Sequence, residues 1–359
     1  LANKDLKWEG STTANLGIDV GLFQNRLNLT ADFFLKNTKD LLLEQKLAYV
    51  TGFNSQWQNI GKIENKGIEL NINSTNIQTR NFLWQTDFNI SFIKNTLKAL
   101  QDGTSYIQSA TKFNSNFNGN DYISIVGSSL GQMYGYVFDG VYQTSDFNML
   151  PNGTMQLKPG VADISKHAGK TAVPGMVKYK DIDGDGCITD NDKIKVGNGT
   201  NPTFTFGFNF GANWKGWDFS CILQGATGLK TYWSGLDGAS YWPQVRRGNQ
   251  INKTIADGRW YPGRTDATYP RLLDYTDGRN RVASDFWVQD KSYLRVKNVQ
   301  LGYTVPKHLS QKLLIDNFRL YVSIDNALTF TGYKGLDPEV SGTKYPTMRL
   351  TTFGLNLTF

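Results

Sequence analysis

The chain has 359 residues, with 38 Lys and Arg against 31 Asp and Glu. Its net charge is +7 and its pI about 9.1, but the basic residues form no run of five or more, which argues against a nucleic-acid partner. Two histidines (His167, His308) and two cysteines in unlike contexts (Cys187, Cys221) leave no material for a histidine zinc site, a histidine-dependent catalytic triad or a disulfide framework. Mean hydropathy is −0.41 and no apolar run of about 18 residues occurs, which excludes a transmembrane helix but not a membrane barrel, whose strands need only about 9–11 residues with alternate positions polar.

The chain begins without a signal peptide, on Leu1 and a turn-like Ala2-Asn3-Lys4-Asp5, and so reads as the interior of something longer. Period-two alternation then dominates. Leu16, Ile18, Val20 and Leu22 alternate with Asn15, Gly17, Asp19 and Gly21. After a short turn, Leu27, Leu29, Ala31, Phe33 and Leu35 alternate with Asn28, Thr30, Asp32 and Phe34. The pattern returns at Ile68, Leu70 and Ile72, then at Phe82, Trp84, Phe88, Ile90 and Phe92. It continues at Phe204, Phe206, Phe208 and Phe210, then at Trp217, Phe219, Cys221 and Leu223. Leu320, Val322 and Ile324 form another set, and the chain ends on Phe353, Leu355, Leu357 and Phe359. Near 292–304 the frame breaks, because Arg295 and Lys297 share a face with Val299 and Leu301, so a bulge or a membrane-exit point is expected there.

About nine long strands result, joined by connections that alternate in length. Short turns are expected after Phe23, Asn73 and Trp214 and a middling one over 305–317, against long loops over 38–60, 96–202, 226–290 and 328–347. Short turns on one side and long loops on the other are the signature of a transmembrane barrel; parity places the C-terminus in the periplasm and the long loops outside. The predicted fold is all-β, an antiparallel transmembrane barrel, with Leu16, Ile18, Phe33, Phe88, Phe206, Phe208, Phe219 and Leu355 facing lipid. Trp84, Trp214, Trp217, Tyr293 and Tyr303 near strand ends fit aromatic girdles. A soluble sandwich is the competing architecture, but its strands run about 5–6 residues and its polar face is charged, whereas here that face is Asn, Thr, Ser and Gly.

Within the loop over 96–202 lies "DIDGDGCITDND", residues 181–192. Its spacing is that of an EF-hand calcium loop, which places Asp181, Asp183, Asp185, the Cys187 carbonyl, Thr189 and Asp192 as ligands, with Gly186 at the sharp turn. Hard oxygen ligands suit Ca²⁺, and Asp rather than Glu at the last position weakens the site or admits Mg²⁺. No helical pattern flanks it, so a structural role for the ion is expected; the competing reading is an acidic turn without an ion. The loop over 226–290 gathers aromatics and arginines: Tyr232, Trp233, Tyr241, Trp242, Trp260, Tyr261 and Tyr269, with Arg246, Arg247, Arg259, Arg264 and Arg271. Tyr232, Trp233, Tyr241, Trp242, Trp260 and Arg264 are candidate contacts for a sugar, a peptide or a protein partner, since aromatics offer flat apolar faces and arginine directional donors. The alternative is that these aromatics pack the loop against the barrel mouth or against a protein partner.

Several stretches, in this order, resemble the C-terminal barrel portion of the SusC/RagA family of TonB-dependent outer-membrane transporters. They are "LKWEGSTTANLGIDVGLFQNRLNLTADFF", "TKDLLL", "TGFNSQWQNIGKIENKGIEL", "GQMYGYVFDGVYQ", "VPGMVKYKDIDGDGCITDNDK", "GNGTNPTFTFGFNF" and "SYLRVKNVQLGYTVP". The terminal "FGLNLTF" resembles the last-strand signal of barrel assembly. The resemblance implies a barrel of about 22 strands, with an N-terminal plug and a TonB box lying outside this sequence, and so a piece of a transporter. It further implies energy-dependent import of oligosaccharides or peptides, a SusD-like surface lipoprotein as partner, the TonB complex reached through the missing N-terminal part, and no enzymatic activity. Two other classes compete: a secreted, lectin-like, aromatic-rich β protein with a structural calcium loop, and an outer-membrane enzyme barrel. Unbroken strands whose apolar faces carry no charge favour the transporter.

Overall fold

The computed structural model describes residues 3–47, 49–100, 103–108, 121–165, 171–199, 201–232, 244–245, 251, 253–274, 277, 279–280, 282–340 and 345–359. One nine-stranded antiparallel meander carries the architecture. Its strands are β1 (Gly10–Leu22), β2 (Leu27–Lys46), β3 (Ser55–Gln78), β4 (Phe82–Ala99), β5 (Phe204–Trp214), β6 (Trp217–Thr227), β7 (Tyr293–Thr304), β8 (Asn317–Thr331) and β9 (Leu350–Thr358). Each pairs only with its neighbours in the chain, in the order β1 to β9. Among the described residues no helix is long and apolar enough to cross a membrane, which says nothing of crossing by strands.

Register turns the alternation of each strand into two continuous faces. One row across the sheet runs Val20, Leu29, Ile72, Phe88, Phe208, Leu223, Val296 and Leu328. The adjacent row, on the other face, runs Asp19, Thr30, Asn71, Asn89, Gly207, Gln224, Arg295 and Thr329. The polar face is tied together across strands: the Thr30 hydroxyl donates to Asp19 at 2.7 Å, Ser91 donates to Glu69 at 3.0 Å, and the Asn298 amide donates to Asp325 at 2.7 Å. On the apolar face, Leu27 to Leu35 of β2 spans about 26 Å along the strand at about 3.3 Å per residue, which strand tilt brings to the height of a bilayer's apolar band. Leu16 stays 63% exposed and Phe353 82% exposed, values a water-facing sheet would not carry along every strand. Leu16, Ile18, Phe33, Phe88, Phe206, Phe208, Phe219 and Leu355 all lie on this one face.

Three boundaries differ from the sequence expectation, each through a bulge. The loop expected over 38–60 is mostly strand: β2 runs to Lys46 and β3 starts at Ser55, leaving 47–54 as the connection. The register shifts near Leu41 and Asp40 takes a φ of 58°, so "DLLL" crosses a kink and keeps pairing; the Asn59 amide bridges it to the Asp40 carbonyl at 2.7 Å. The turn expected after Asn73 instead occupies 79–81, because the register slips between Thr75 and Ile77 and the pairing with β4 resumes beyond it. In β7 the shift between Val296 and Asn298 absorbs the frame break: against β6 Lys297 is the extra residue, and against β8 the extra residue falls on β8, where Asn326 takes a φ of 50°. Before the bulge, Val296 stays on the apolar face while Tyr293 and Arg295 turn to the polar face. Tyr293 therefore leaves the girdle, which keeps Trp84, Trp214, Trp217 and Tyr303 beside the short turns, with the Trp217 and Tyr303 rings 4.8 Å apart.

Short connections over 23–26, 79–81, 215–216 and 305–316 lie at one end of the sheet, and 47–54, 100–203, 228–292 and 332–349 lie at the other. The two longest excursions pack against each other. Tyr136, Tyr142, Ile164, Met176, Tyr179 and Ile188 of the first share a buried cluster with Leu273 and Val282 of the second. A second cluster joins Met133 to Tyr232, Ala283 and Trp287, with Tyr333 of the last excursion against it. Their backbones interlock as well: Tyr136 N–H donates to Ala283 at 3.0 Å and Arg271 N–H to Gly175 at 2.7 Å.

Candidate functional site

The acidic loop is built from its own backbone. Asp181 accepts from Gly184 N–H and Gly186 N–H, both at 2.7 Å, and Asp185 accepts from Cys187 N–H at 2.7 Å. Gly186 holds a φ of 80°, a left-handed conformation that costs a residue with a Cβ. The amides of Gly186 and Gly184 hold the exposed Asp181 carboxyl below the usual carboxylate range. The folding brings the carboxylates of Asp181, Asp183 and Asp185 within 4.8 Å of one another. Asp192 is placed differently: it is fully buried and closes the loop, accepting from Ile182 N–H at 2.7 Å and from Thr189 N–H at 2.7 Å. Thr189 caps the short turn over Asp190–Asp192, accepting from Asn191 N–H at 3.2 Å. Ile188 drops, fully buried, into the shared core, so the loop is anchored by an apolar side chain between its acidic residues. Lys193 pairs with Asp190 at 2.9 Å and lies over the Tyr136 ring. Burial, with Asp190 second, pushes the Tyr136 phenol far above its usual range.

The aromatic candidates divide. Tyr232 is 5% exposed and spends its hydroxyl on the Tyr134 carbonyl at 3.0 Å, with its ring edge-on to Tyr122. Trp260, also 5% exposed, donates its indole N–H to the Gln143 side chain at 3.0 Å. Both rings thus join the two excursions. Arg264 stacks on the Tyr261 ring and pairs with Asp266 at 3.1 Å, while Tyr261 remains 52% exposed. Trp233, Tyr241 and Trp242 lie outside the described residues, as do Arg246 and Arg247.

Two features escape a reading by periodicity. One is a cleft of about 400 Å³ between the excursions, walled by Thr144, Met155, Pro174, Arg259, Trp260, Tyr261 and Arg271. Its walls come from segments far apart in the sequence; only the Pro174-Gly175 turn signal hints at a close approach there. The other is a buried ionic cluster on the polar face of the sheet. Arg295, 2% exposed, donates to Asp337 at 2.7 Å, to Glu339 and to Thr329 at 2.9 Å, and Tyr293 donates to Glu339 at 2.9 Å. It clamps the last excursion onto the inside of the sheet. The sequence signal was the frame break at Arg295.

An antiparallel meander with an apolar, girdled face, a polar opposite face and large excursions at one end defines a segment of an outer-membrane β-barrel. The chain belongs to the TonB dependent receptor-like β-barrel family, whose model matches residues 1–327. It is 36% identical to TonB-dependent receptor P3 of Formosa agariphila over 100% of this chain and 35% of that protein. It is 27% identical to TonB-dependent receptor SusC of Bacteroides thetaiotaomicron, over 99% of this chain and 32% of that protein. Its fold matches a solved structure of the RagAB peptide transporter with a TM-score of 0.76 and 23% identity, over 100% of this chain and 36% of that one. The chain thus spans about a third of the length of the curated relatives it matches. The family's barrels sit in the outer membrane and its members are receptors and transporters rather than enzymes.

Proposed function

We propose that this chain forms part of the wall and the outer vestibule of a TonB-dependent transporter that imports oligosaccharides or peptides. The single observation that carries this is the gathering of both long excursions into one packed body at one end of a membrane-type sheet. In this reading that end is extracellular, the short turns and the C-terminus are periplasmic, and a SusD-like lipoprotein docks on the excursions. The TonB complex acts through parts of the protein that this sequence does not include. The similarity to SusC and the fold shared with the RagAB peptide transporter support it. The chain performs no covalent chemistry here; its polar face is a solvated wall. The test is a native host deleted for the intact receptor. Loss of uptake of one fluorescent oligosaccharide or peptide, restored by the receptor and dependent on TonB, is the expected result. Unaltered uptake across panels of both classes overturns the reading.

The acidic loop, in the same proposal, holds one Ca²⁺ between Asp181, Asp183 and Asp185, with the Cys187 carbonyl, Thr189 and Asp192 completing its surroundings and Mg²⁺ as the weaker occupant. The support is the convergence of three carboxylates on a turn already fixed by the protein's own amides. Its role is structural, since Ile188 ties the loop to the shared core. At calcium a hundredfold above Kd the folded excursions gain about 2.7 kcal/mol. Thermal unfolding with calcium against chelator reads this directly. An unchanged transition, or one that Asp183→Asn with Asp185→Asn leaves calcium-dependent, removes the ion.

A further inference from the structure

We propose that the cleft between the two excursions is a binding site for an anionic oligosaccharide, a sugar ring bearing a carboxylate or a sulfate. This rests on the transporter reading and narrows its substrate class. Two half-buried arginines face the cleft, Arg259 and Arg271. Neither lies within ion-pair distance of a carboxylate among the described residues, whereas Arg264 and Arg279 nearby pair with Asp266 and Asp277. Each is held in place by one backbone carbonyl: Arg271 donates to Pro174 at 3.1 Å and Arg259 to Ala256. Of five N–H donors on each guanidinium, one is spent on a described residue in each case. Two partly desolvated positive charges with no counter-charge among the described residues are costly unless an anion visits, and the planar fork of arginine matches carboxylate and sulfate oxygens.

Apart from Thr144 and the two arginines, the lining is mostly apolar and aromatic. The half-exposed ring of Tyr261, with Met155 and Pro174, gives the apolar surface a sugar face needs. The construction is specific. Gly175, at a φ of 87°, lies under the Trp260 indole and against Arg271; a Cβ there would stand 2.3 Å from the Trp260 ring and 2.8 Å from the Arg271 Cβ. Trp260 and Arg271 are thus seated on a backbone that tolerates no side chain.

The same walls disfavour an extended peptide, which binds by adding main-chain hydrogen bonds to an open strand edge. Here the backbone is already paired: Trp260 N–H to Tyr269, Arg271 N–H to Gly175 and Gly175 N–H to Tyr142. Pro174 and Pro262 carry no N–H at all.

The test uses the intact receptor, with its lipoprotein if the two co-purify, in detergent. Calorimetry measures binding of tri-galacturonate, a sulfated trisaccharide, neutral maltotriose and tri-glutamate. Binding of at least one of the two anionic sugars, about tenfold or more tighter than maltotriose and tri-glutamate, is expected. Which of the two binds tells carboxylate from sulfate. Arg259→Gln with Arg271→Gln should remove that preference while leaving the melting temperature unchanged, and Lys253→Gln, at an exposed cation outside the cleft lining, should leave the preference intact. Equal affinity for maltotriose, tighter binding of tri-glutamate, binding of neither anionic sugar, or an anion preference that survives the double substitution overturns the inference. Receptor-dependent uptake of neutral glycans or of peptides in the same strains would show the transporter reading standing while this one fails.

Discussion

The sheet and the excursions solve burial in opposite ways. Along the strands, Leu16 is 63% exposed, Leu355 58% and Phe353 82%. In the excursions Tyr136, Met176, Tyr179 and Ile188 are 0% exposed. The strands use small polar residues to solvate one face and leave the hydrophobic face to lipid, so the apolar residues find their partner in the bilayer. The excursions meet water, and their apolar and aromatic residues must find each other across more than a hundred residues of chain. Tyrosine and tryptophan serve there because each ring buries a large area and still spends a polar atom on a hydrogen bond, as Tyr142 does on the Ala162 carbonyl. The lesson is that a strongly apolar sequence segment is not always a core, and the true core of this chain lies in stretches that look like loops.

The contrast can be broken first where the two regions meet. Asp337→Ala leaves the buried Arg295 guanidinium with one carboxylate fewer, and removing one partner of a buried pair costs about 3–5 kcal/mol. The expected readout is release of the last excursion to protease with the sheet still folded; an uncleaved excursion and an unchanged melting curve would show that the clamp contributes nothing. Next comes the sheet itself. Phe208→Arg should cost about 2–4 kcal/mol in folding into bilayers, and Asn209→Arg, one residue along and on the opposite face, far less. Equal tolerance at the two positions would deny that the faces differ.

Smaller effects sharpen the excursion side. Tyr142→Phe removes the hydroxyl bonded to Ala162 and should lower the excursions' stability by about 1 kcal/mol, without altering insertion of the barrel. Comparable loss in both would mean the two regions unfold as one unit. The smallest effect concerns Asp285, whose carboxyl is raised above its usual value by burial, against the opposing donation of Phe138 N–H. A carboxyl with a folded pKa above its unfolded one favours the folded state when protonated, so stability falls as pH climbs from about 4 through the folded value. Asp285→Asn keeps an acceptor for Phe138 and should flatten that decline. A pH profile identical to that of the parent protein would place the titration elsewhere.

The nine strands, their apolar faces and the disposition of short turns and long excursions were legible in the residues, because membrane strands carry an unbroken period of two and each register step preserves it. The family resemblance in the motifs was legible for the same reason, and the acidic loop was readable because calcium-type spacing is local. Bulges were not: Asp40, Asn76 and Lys297 each shift the frame by pairing geometry, and only Lys297 left a visible conflict, in the charges flanking it. The dual nature of the aromatic loop was equally hidden. Tyr232 and Trp260 look like exposed contact residues until Tyr134 and Gln143, more than ninety positions away, are found to hold them.

By itself, the sequence determined what repeats at short range: strand, face, turn and the spacing of the acidic residues all follow from neighbours within a dozen residues, where backbone geometry dictates direction. Only the tertiary structure decided which distant segments share a core, that Arg295 turns inward to Asp337 and Glu339, and that Arg259 and Arg271 face one cleft across Trp260. Those outcomes depend on closing loops of tens to more than a hundred residues, whose entropy cost is nearly indifferent to length. The pairing is therefore chosen by complementary surfaces, and such surfaces have no period for a sequence to display.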